Sequence, residues 1–264
     1  MDLGLKGKLA VVTGSTAGIG FAIAATLAKE GAQVIVNGRT EERVAAATEK
    51  IKKQVRGAEV RGVTADLGTA AGVEAFTKHA PEADILVNNL GIFEPKAFAE
   101  IPDEDWMRFF EINVMSGVRL SRFYLPAMLK KNWGRIIFIS SESGQQIPGE
   151  MVHYGMTKTA QVAVARGLAE TVAGTGITVN SVLVGPTSSE GVGNFVEQFA
   201  KQQNVSVAEF EKQFFSGVRP SSLLKRFETP EEVAAVVAFV ASTQAVTMNG
   251  AAVRAEGGVV RSIF

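Results

Sequence analysis

The chain has two tyrosines, and one of them stands four residues before a lysine, in Tyr154-Gly155-Met156-Thr157-Lys158. On a helix this spacing puts phenol and amine on one face, a turn apart. A phenol with a pKa near 10 is a poor acid or base at neutral pH. An ammonium ~4 Å away, at an effective dielectric of ~20, contributes about 4 kcal/mol, up to about three pKa units before the lysine's own desolvation is subtracted. A tyrosine so placed exchanges protons near pH 7; on a solvated helix face the same spacing does nothing. Upstream lies Ser140-Ser141-Glu142-Ser143-Gly144, closing an apolar β-branched run. Ligands of open α/β sheets bind outside strand carboxyl ends. There, the Ser141 hydroxyl either donates to a carbonyl oxygen that becomes alkoxide-like as hydride arrives, or merely caps a turn.

A second constellation opens the chain. The run 9–12 leads into Thr13-Gly14-Ser15-Thr16-Ala17-Gly18-Ile19-Gly20 and then a helical pattern. Gly14, Gly18 and Gly20 allow a tight turn whose N–H groups, with those of Ser15, Thr16 and Ile19, approach a pyrophosphate at the helix N-terminus. Close strand–helix packing without a ligand is the other reading. The turn is not a nucleoside-triphosphate loop, since no Gly-Lys-Ser/Thr closes it. In NAD-binding folds an acidic residue about 20 positions on accepts the ribose hydroxyls. Here the second strand ends Val36-Asn37-Gly38-Arg39-Thr40, with glycine at that position. A carboxylate there would repel a 2′-phosphate, whereas Arg39 beside a glycine offers room and a bidentate partner. NADP is therefore expected over NAD; the alternative is an Asn-Gly turn with a solvated arginine.

These groups need elements to position them. Short apolar runs at 9–12, 33–36, 59–63, 85–87, 135–140, 178–184 and 251–254 alternate with helical stretches such as 19–30, 41–55 and 159–173. Continuous apolar strands separated by helices predict one seven-stranded parallel sheet, doubly wound with helices on both faces. No linker divides it, so residues 1–264 read as a single domain. Residues 186–228 break the rhythm with six of the sixteen phenylalanines. Phe195 with Phe199, and Phe210 with Phe214, share helix faces, which suggests a substrate lid, with core packing or a subunit contact as alternatives. Ser206-Val207-Ala208-Glu209 and Thr229-Pro230-Glu231-Glu232 read as helix starts. Twenty-seven basic residues balance twenty-seven acidic ones, which argues against a nucleic-acid partner. With no cysteine and two histidines, neither a thiol nucleophile nor a metal site is expected. No apolar run approaches the ~20 residues that span a bilayer, and a signal peptide is not evident; the expected location is the cytoplasm, with no membrane partner.

On these residues the chain resembles the short-chain dehydrogenase/reductase family over essentially its whole length. The glycine turn is similar to the family's Thr-Gly-x3-Gly-x-Gly signature, and the Ser141–Tyr154 separation is the usual one. The resemblance adds Asp66-Leu67 at the adenine, Asn88-Asn89-Leu90-Gly91 beside the cofactor, and Gly257-Gly258 after the last strand. It implies that Tyr154 donates a proton, Lys158 holds the nicotinamide ribose and lowers the tyrosine pKa, and Ser141 orients the carbonyl. Asn113 would support a proton relay through water to the lysine, and Thr187 would set its backbone against the carboxamide. The departures are Leu90 in place of alanine, and Val184-Gly185-Pro186-Thr187-Ser188-Ser189 where the family has Pro-Gly and a later threonine. Ser189 is the candidate replacement for that threonine. The implied activity is hydride transfer between NADP(H) and a ketone or secondary alcohol. The chain is also 3-oxoacyl-carrier-protein-reductase-like, yet Asn132 and Thr175 are neutral where those reductases are basic, which favours a free ketone; Lys130, Lys131 and Arg166 nearby keep a carrier-bound or other acyl-thioester substrate as the alternative. A non-catalytic NADP-binding scaffold is the reading from another class. Phe93, Gln145, Ile147, Met151 and His153 are pocket candidates by placement, with His153 equally a surface residue beside the tyrosine and given no catalytic role. A homodimer or homotetramer is expected by analogy, and the apolar tail Val259-Val260-Arg261-Ser262-Ile263-Phe264 suits an interface or a fold onto its own subunit.

Overall fold

A computed structural model describes residues 1–189, 200–201 and 204–263. Seven strands, β1 (Leu9–Val12), β2 (Gln33–Gly38), β3 (Val60–Thr64), β4 (Ile85–Asn88), β5 (Gly134–Ser141), β6 (Ile177–Val184) and β7 (Ala252–Ala255), form one sheet in the order β3-β2-β1-β4-β5-β6-β7. Every neighbouring pair is parallel. The chain winds outward from β1 to β3, then returns past β1 to begin β4. The reversal leaves a crevice at the carboxyl ends of β1 and β4, where such sheets bind ligands.

The strands lie where their apolar runs placed them, within a residue or two. Side chains alternate between two core layers, as the two-residue strand repeat demands. Ala10, Val12, Ile137, Ile139, Val182 and Val184 face α1 (Gly18–Lys29), α2 (Glu41–Gln54) and α8 (Pro230–Ala241). Val11, Leu86, Ile136, Phe138 and Val179 face α3 (Ala70–His79), α5 (Ser116–Lys131) and α6 (Val152–Thr171). Helix α6 starts seven residues earlier than its apolar pattern suggests, so Tyr154 and Lys158 do lie on one helix. Between α4 (Asp103–Phe110) and α5 the chain makes a π-helical turn at Glu111–Met115, a distortion that often marks a functional position.

In the stretch 186–228, Thr187 pairs with Glu228 in an isolated parallel bridge. Helix α7 (Val207–Gln213) opens with the Ser206 hydroxyl accepting from the Glu209 N–H and runs into a second π-helical turn, Phe214–Val218. The rings of Phe210 and Phe214 meet with centroids 6.5 Å apart, and Phe227 packs on Phe214 at 5.1 Å. Phe195 and Phe199 lie outside the described residues. No helix among the described residues is long and apolar enough to cross a membrane.

Candidate active site

Helix α6 and the end of β5 bring the chemistry of the sequence into one cavity of about 500 Å³. Its walls include Ser141, Tyr154, Lys158, Ile19, Asn89, Gly91, Thr187 and Ser189. The Ser141 hydroxyl oxygen accepts from the Ser143 N–H at 3.1 Å. It therefore caps the turn after β5, and the same side chain also hydrogen-bonds Tyr154. The Lys158 carbonyl accepts from Ser140 Oγ, and Thr159 Oγ1 donates to the Gly144 carbonyl, both at 2.8 Å. These bonds fix α6 against the serine turn.

The electrostatics differ from the expectation. Burial pushes the Tyr154 phenol up to about 12; a hydrogen bond with Ser141 works against this, Glu142 adds to it and Arg219 opposes it. Burial also pulls the Lys158 ammonium down to about 8. Lys158 Nζ donates to the Ile139 carbonyl at 2.9 Å and to Gln161 Oε1 at 3.2 Å, and lies 5.5 Å from the tyrosine ring centroid. Desolvation is the largest cause for both groups, and the ammonium donates to acceptors other than the phenol.

Asn113 sits in the π-helical turn, with its side chain held by both main-chain groups of Ile92 and by Thr157 Oγ1. Its carbonyl accepts from Gln161 Nε2 at 2.6 Å. Gln161 thus bridges the Asn113 carbonyl to the Lys158 ammonium. Neither local pattern nor periodicity singles out Gln161. It is three residues after the lysine and would have passed as helix core.

At the other end of the crevice, Gly14 and Gly18 adopt φ of +57° and +56°, a region that favours glycine. Helix α1 follows with no side-chain cap at Ala17 and no acidic residue in its first turn, leaving its N-terminal amides and positive dipole end available to an anion. A Cβ on Gly20 would collide with Asn89 and the Gly14 carbonyl. Asn89 Nδ2 donates to the carbonyls of Thr13 and Gly14, so it acts by holding the turn to β4. Ser15 needs correction as a phosphate contact: its hydroxyl donates to the Val12 carbonyl and its N–H to the Asn37 carbonyl, so both donors are used within the turn. Thr16 packs its methyl where a Cβ on Gly38 would stand, which explains the glycine at the acidic position. Arg39 is exposed and has no hydrogen bond or ion pair among the described residues. Asp66 is exposed with Oδ1 accepting from the Gly68 N–H, while the Leu67 side chain is buried in the core, leaving only main-chain atoms for a ligand. The Thr187 N–H makes no hydrogen bond among the described residues. These features, uncapped amides above all, fit a dinucleotide.

The sequence profile of the family described as short chain dehydrogenase matches residues 8–199. The uncharacterized oxidoreductase YvaG of Bacillus subtilis is 49% identical over 264 residues, covering 100% of both chains. A 3-oxoacyl-[acyl-carrier-protein] reductase of Aquifex aeolicus is 34% identical, covering 98% of this chain and 100% of its own. A crystal structure of L-sorbose reductase from Gluconobacter frateurii, complexed with NADPH and L-sorbose, superposes with a TM-score of 0.94 at 32% identity over 100% of both chains. The chain belongs to the short-chain dehydrogenases.

As a short-chain dehydrogenase it is an oxidoreductase, and its remaining pocket residues can be judged on that footing. Phe93 and Met151 line the cavity, and Phe93 meets the Tyr154 ring edge-on at 6.3 Å. Gln145 and Ile147 do not line it, being exposed. His153 is neither a pocket nor a surface residue. It is fully buried between Phe109, at 4.1 Å, and Trp106, at 6.0 Å, with neither ring nitrogen hydrogen-bonded; burial lowers its pKa, and it packs as a neutral ring. Leu90, which as a bulkier residue than alanine could have reshaped the pocket wall, does not line the cavity: it packs behind Gly14 against the core. Three charged wall residues were missed: Glu142, Glu150 and Arg219. Glu142 directly follows Ser141, a placement that could have flagged it; Arg219 lies 77 residues further on with no local signal.

Proposed function

We propose that this short-chain dehydrogenase reduces a free ketone to a secondary alcohol with NADP(H). The observation that carries the reading is the convergence of Ser141, Tyr154 and Lys158 on one cavity, beside a glycine turn with open amides. Gly14, Thr16, Gly18, Ile19 and Gly20 would hold the pyrophosphate, Asp66 and the Leu67 main chain the adenine, and Gly91, Thr187 and Ser189 the nicotinamide end. Arg39, free beside a glycine, suits a 2′-phosphate. A bound NADPH supplies the hydride. Ser141 donates a hydrogen bond to the substrate oxygen as negative charge develops there. Tyr154, held protonated by its burial, gives that oxygen its proton. Lys158 positions the ribose and, through Gln161 and Asn113, is tied to the helix that frames the site.

The described part of 186–228 supports the reading of a cover: Phe210, Phe214, Val218 and Phe227 line the cavity. A carrier-bound substrate draws less support. Asn132 is the left-handed cap of α5, with its side-chain oxygen accepting from the Gly176 N–H, and nearby Lys131 is paired with Glu82 and Asp84. The enzyme would work in the cytoplasm as a homodimer or homotetramer.

Two variants test the assignment. Tyr154→Phe should lower ketone reduction by at least ~10³-fold while NADPH still quenches tryptophan fluorescence, because the proton donor alone is removed. Full residual activity would refute the role. Arg39→Ala should raise KM for NADPH at least ~10-fold and leave that for NADH unchanged; equal changes would show that Arg39 does not read the phosphate.

A further inference from the structure

One carboxylate oxygen in the cavity wall has no partner. Glu142 follows Ser141 in the turn after β5, and its side chain is only 4% exposed. Its Oε1 accepts from Arg219 Nε at 2.8 Å, whereas Oε2 is buried without a hydrogen bond. The Ser143 hydroxyl stands near and, with Arg219, opposes the burial that raises the carboxyl pKa, yet it completes no bond to Oε2. Arg219 comes from the cover. Its Nη1 donates to Glu150 Oε1 and to the Val218 carbonyl, while Nη2 donates to nothing among the described residues. Both Glu142 and Arg219 line the same wall as Ser141 and Tyr154.

A buried acceptor without a donor is costly, so native proteins leave one mainly where something else arrives to complete it. Here the pair holds one acceptor and one donor without partners among the described residues, in side chains that line the same cavity as Ser141 and Tyr154. Glu142 and Glu150 together outweigh the single guanidinium, so the cluster carries no positive excess to attract an anion. Phe93, Phe214 and Phe227 supply flat apolar faces for the carbon chain.

We infer that the Glu142–Arg219 pair is a substrate subsite selecting uncharged ketones that bear hydroxyl groups. One substrate hydroxyl donates to Glu142 Oε2, and Arg219 Nη2 donates to a second substrate oxygen. The inference rests on the reductase reading and sharpens its substrate class. Hydroxyl-free ketones leave Oε2 unsatisfied, and oxo acids bring a second negative charge toward the two glutamates.

The test uses three four-carbon ketones with NADPH: erythrulose, 2-butanone and acetoacetate. For the wild type, kcat/KM for erythrulose should exceed the other two by at least ~100-fold, the scale on which a site built for a hydroxyl rejects analogues lacking it. Glu142→Leu should collapse that ratio to within ~10-fold, and Glu142→Gln should reduce it by at least ~10-fold. Glu142→Leu leaves Arg219 without its main counter-charge; if that variant does not fold, the isosteric Glu142→Gln decides. A wild-type preference for 2-butanone or acetoacetate, or an unchanged ratio in the variants, overturns the subsite. If the wild type reduces none of the three, the reductase reading fails separately, and saturation-transfer NMR of erythrulose with the NADPH-loaded protein then decides. A signal lost in Glu142→Gln supports the subsite, and no signal, or one unchanged in the variant, overturns it.

Discussion

Lys158 illustrates how a single side chain carries two opposed demands. Burial draws its pKa down to about 8 from an ordinary value of 10.5, so holding it charged at neutral pH costs stability. The folded protein releases this proton near pH 8, while the unfolded chain keeps it to about 10.5. Between those values the unfolded state binds more protons, and for this group stability rises with pH. Lys158→Met should therefore stabilise the fold at pH 7 by up to about 3 kcal/mol, less the two hydrogen bonds lost, with the gain fading across pH 8–10.5. Thermal melts at pH 7 and pH 10 check this; a gain that grows toward pH 10 would contradict it. Turnover should fall sharply in the same variant, which is the signature of a residue kept for function against stability. Tyr154 is the counterpart: burial raises its pKa and keeps the phenol protonated, as donation to a nascent alkoxide requires.

At the scale of elements, local devices fix the frame around the cavity. The Thr229 hydroxyl accepts from the Glu232 N–H at 3.2 Å, and Glu232 Oε2 accepts from the Thr229 N–H at 2.8 Å, a reciprocal capping box that starts α8. The α8 residues Val233, Val237 and Val240 are buried against the sheet. Thr229→Ala should lower stability by about 1 kcal/mol with little change in kcat, measured by urea unfolding and steady-state kinetics. A loss in kcat larger than the loss in stability would mean that this cap also sets the cover. The π-helical turn at Glu111–Met115 performs a comparable task for the site, since it carries Asn113 between Ile92, Thr157 and Gln161.

For the whole molecule, the apolar tail has two fates. Val259 and Val260 are buried in their own subunit, and Arg254 holds the Val260 and Ser262 carbonyls, while Ile263 remains exposed. Helix α5 leaves Phe123 and Leu129 open to solvent, and α4 leaves Met107 open. Large apolar side chains at such positions favour burial against another surface. Multi-angle light scattering should give two or four times the 28.0 kDa chain mass; a mass of one chain at micromolar concentration would rule out the homo-oligomer.

The sequence by itself determined the sheet, the glycine turn, and the serine, tyrosine and lysine of the crevice. Strand and helix repeats convert short spacings into fixed geometry, so alternation places a side chain on a sheet face and a separation of four places two on a helix face. Arg39 and Gly38 were legible for the same reason, as neighbours at a strand end. The Ser15 hydroxyl, the bridge from Gln161 to Asn113, the burial of His153 and the pairing of Glu142 with Arg219 were not. Each depends on which distant segments pack together and how much water they exclude. Tertiary packing alone decided that the phenol is raised and the ammonium lowered, because desolvation belongs to the assembled surroundings of a group and not to its place along the chain.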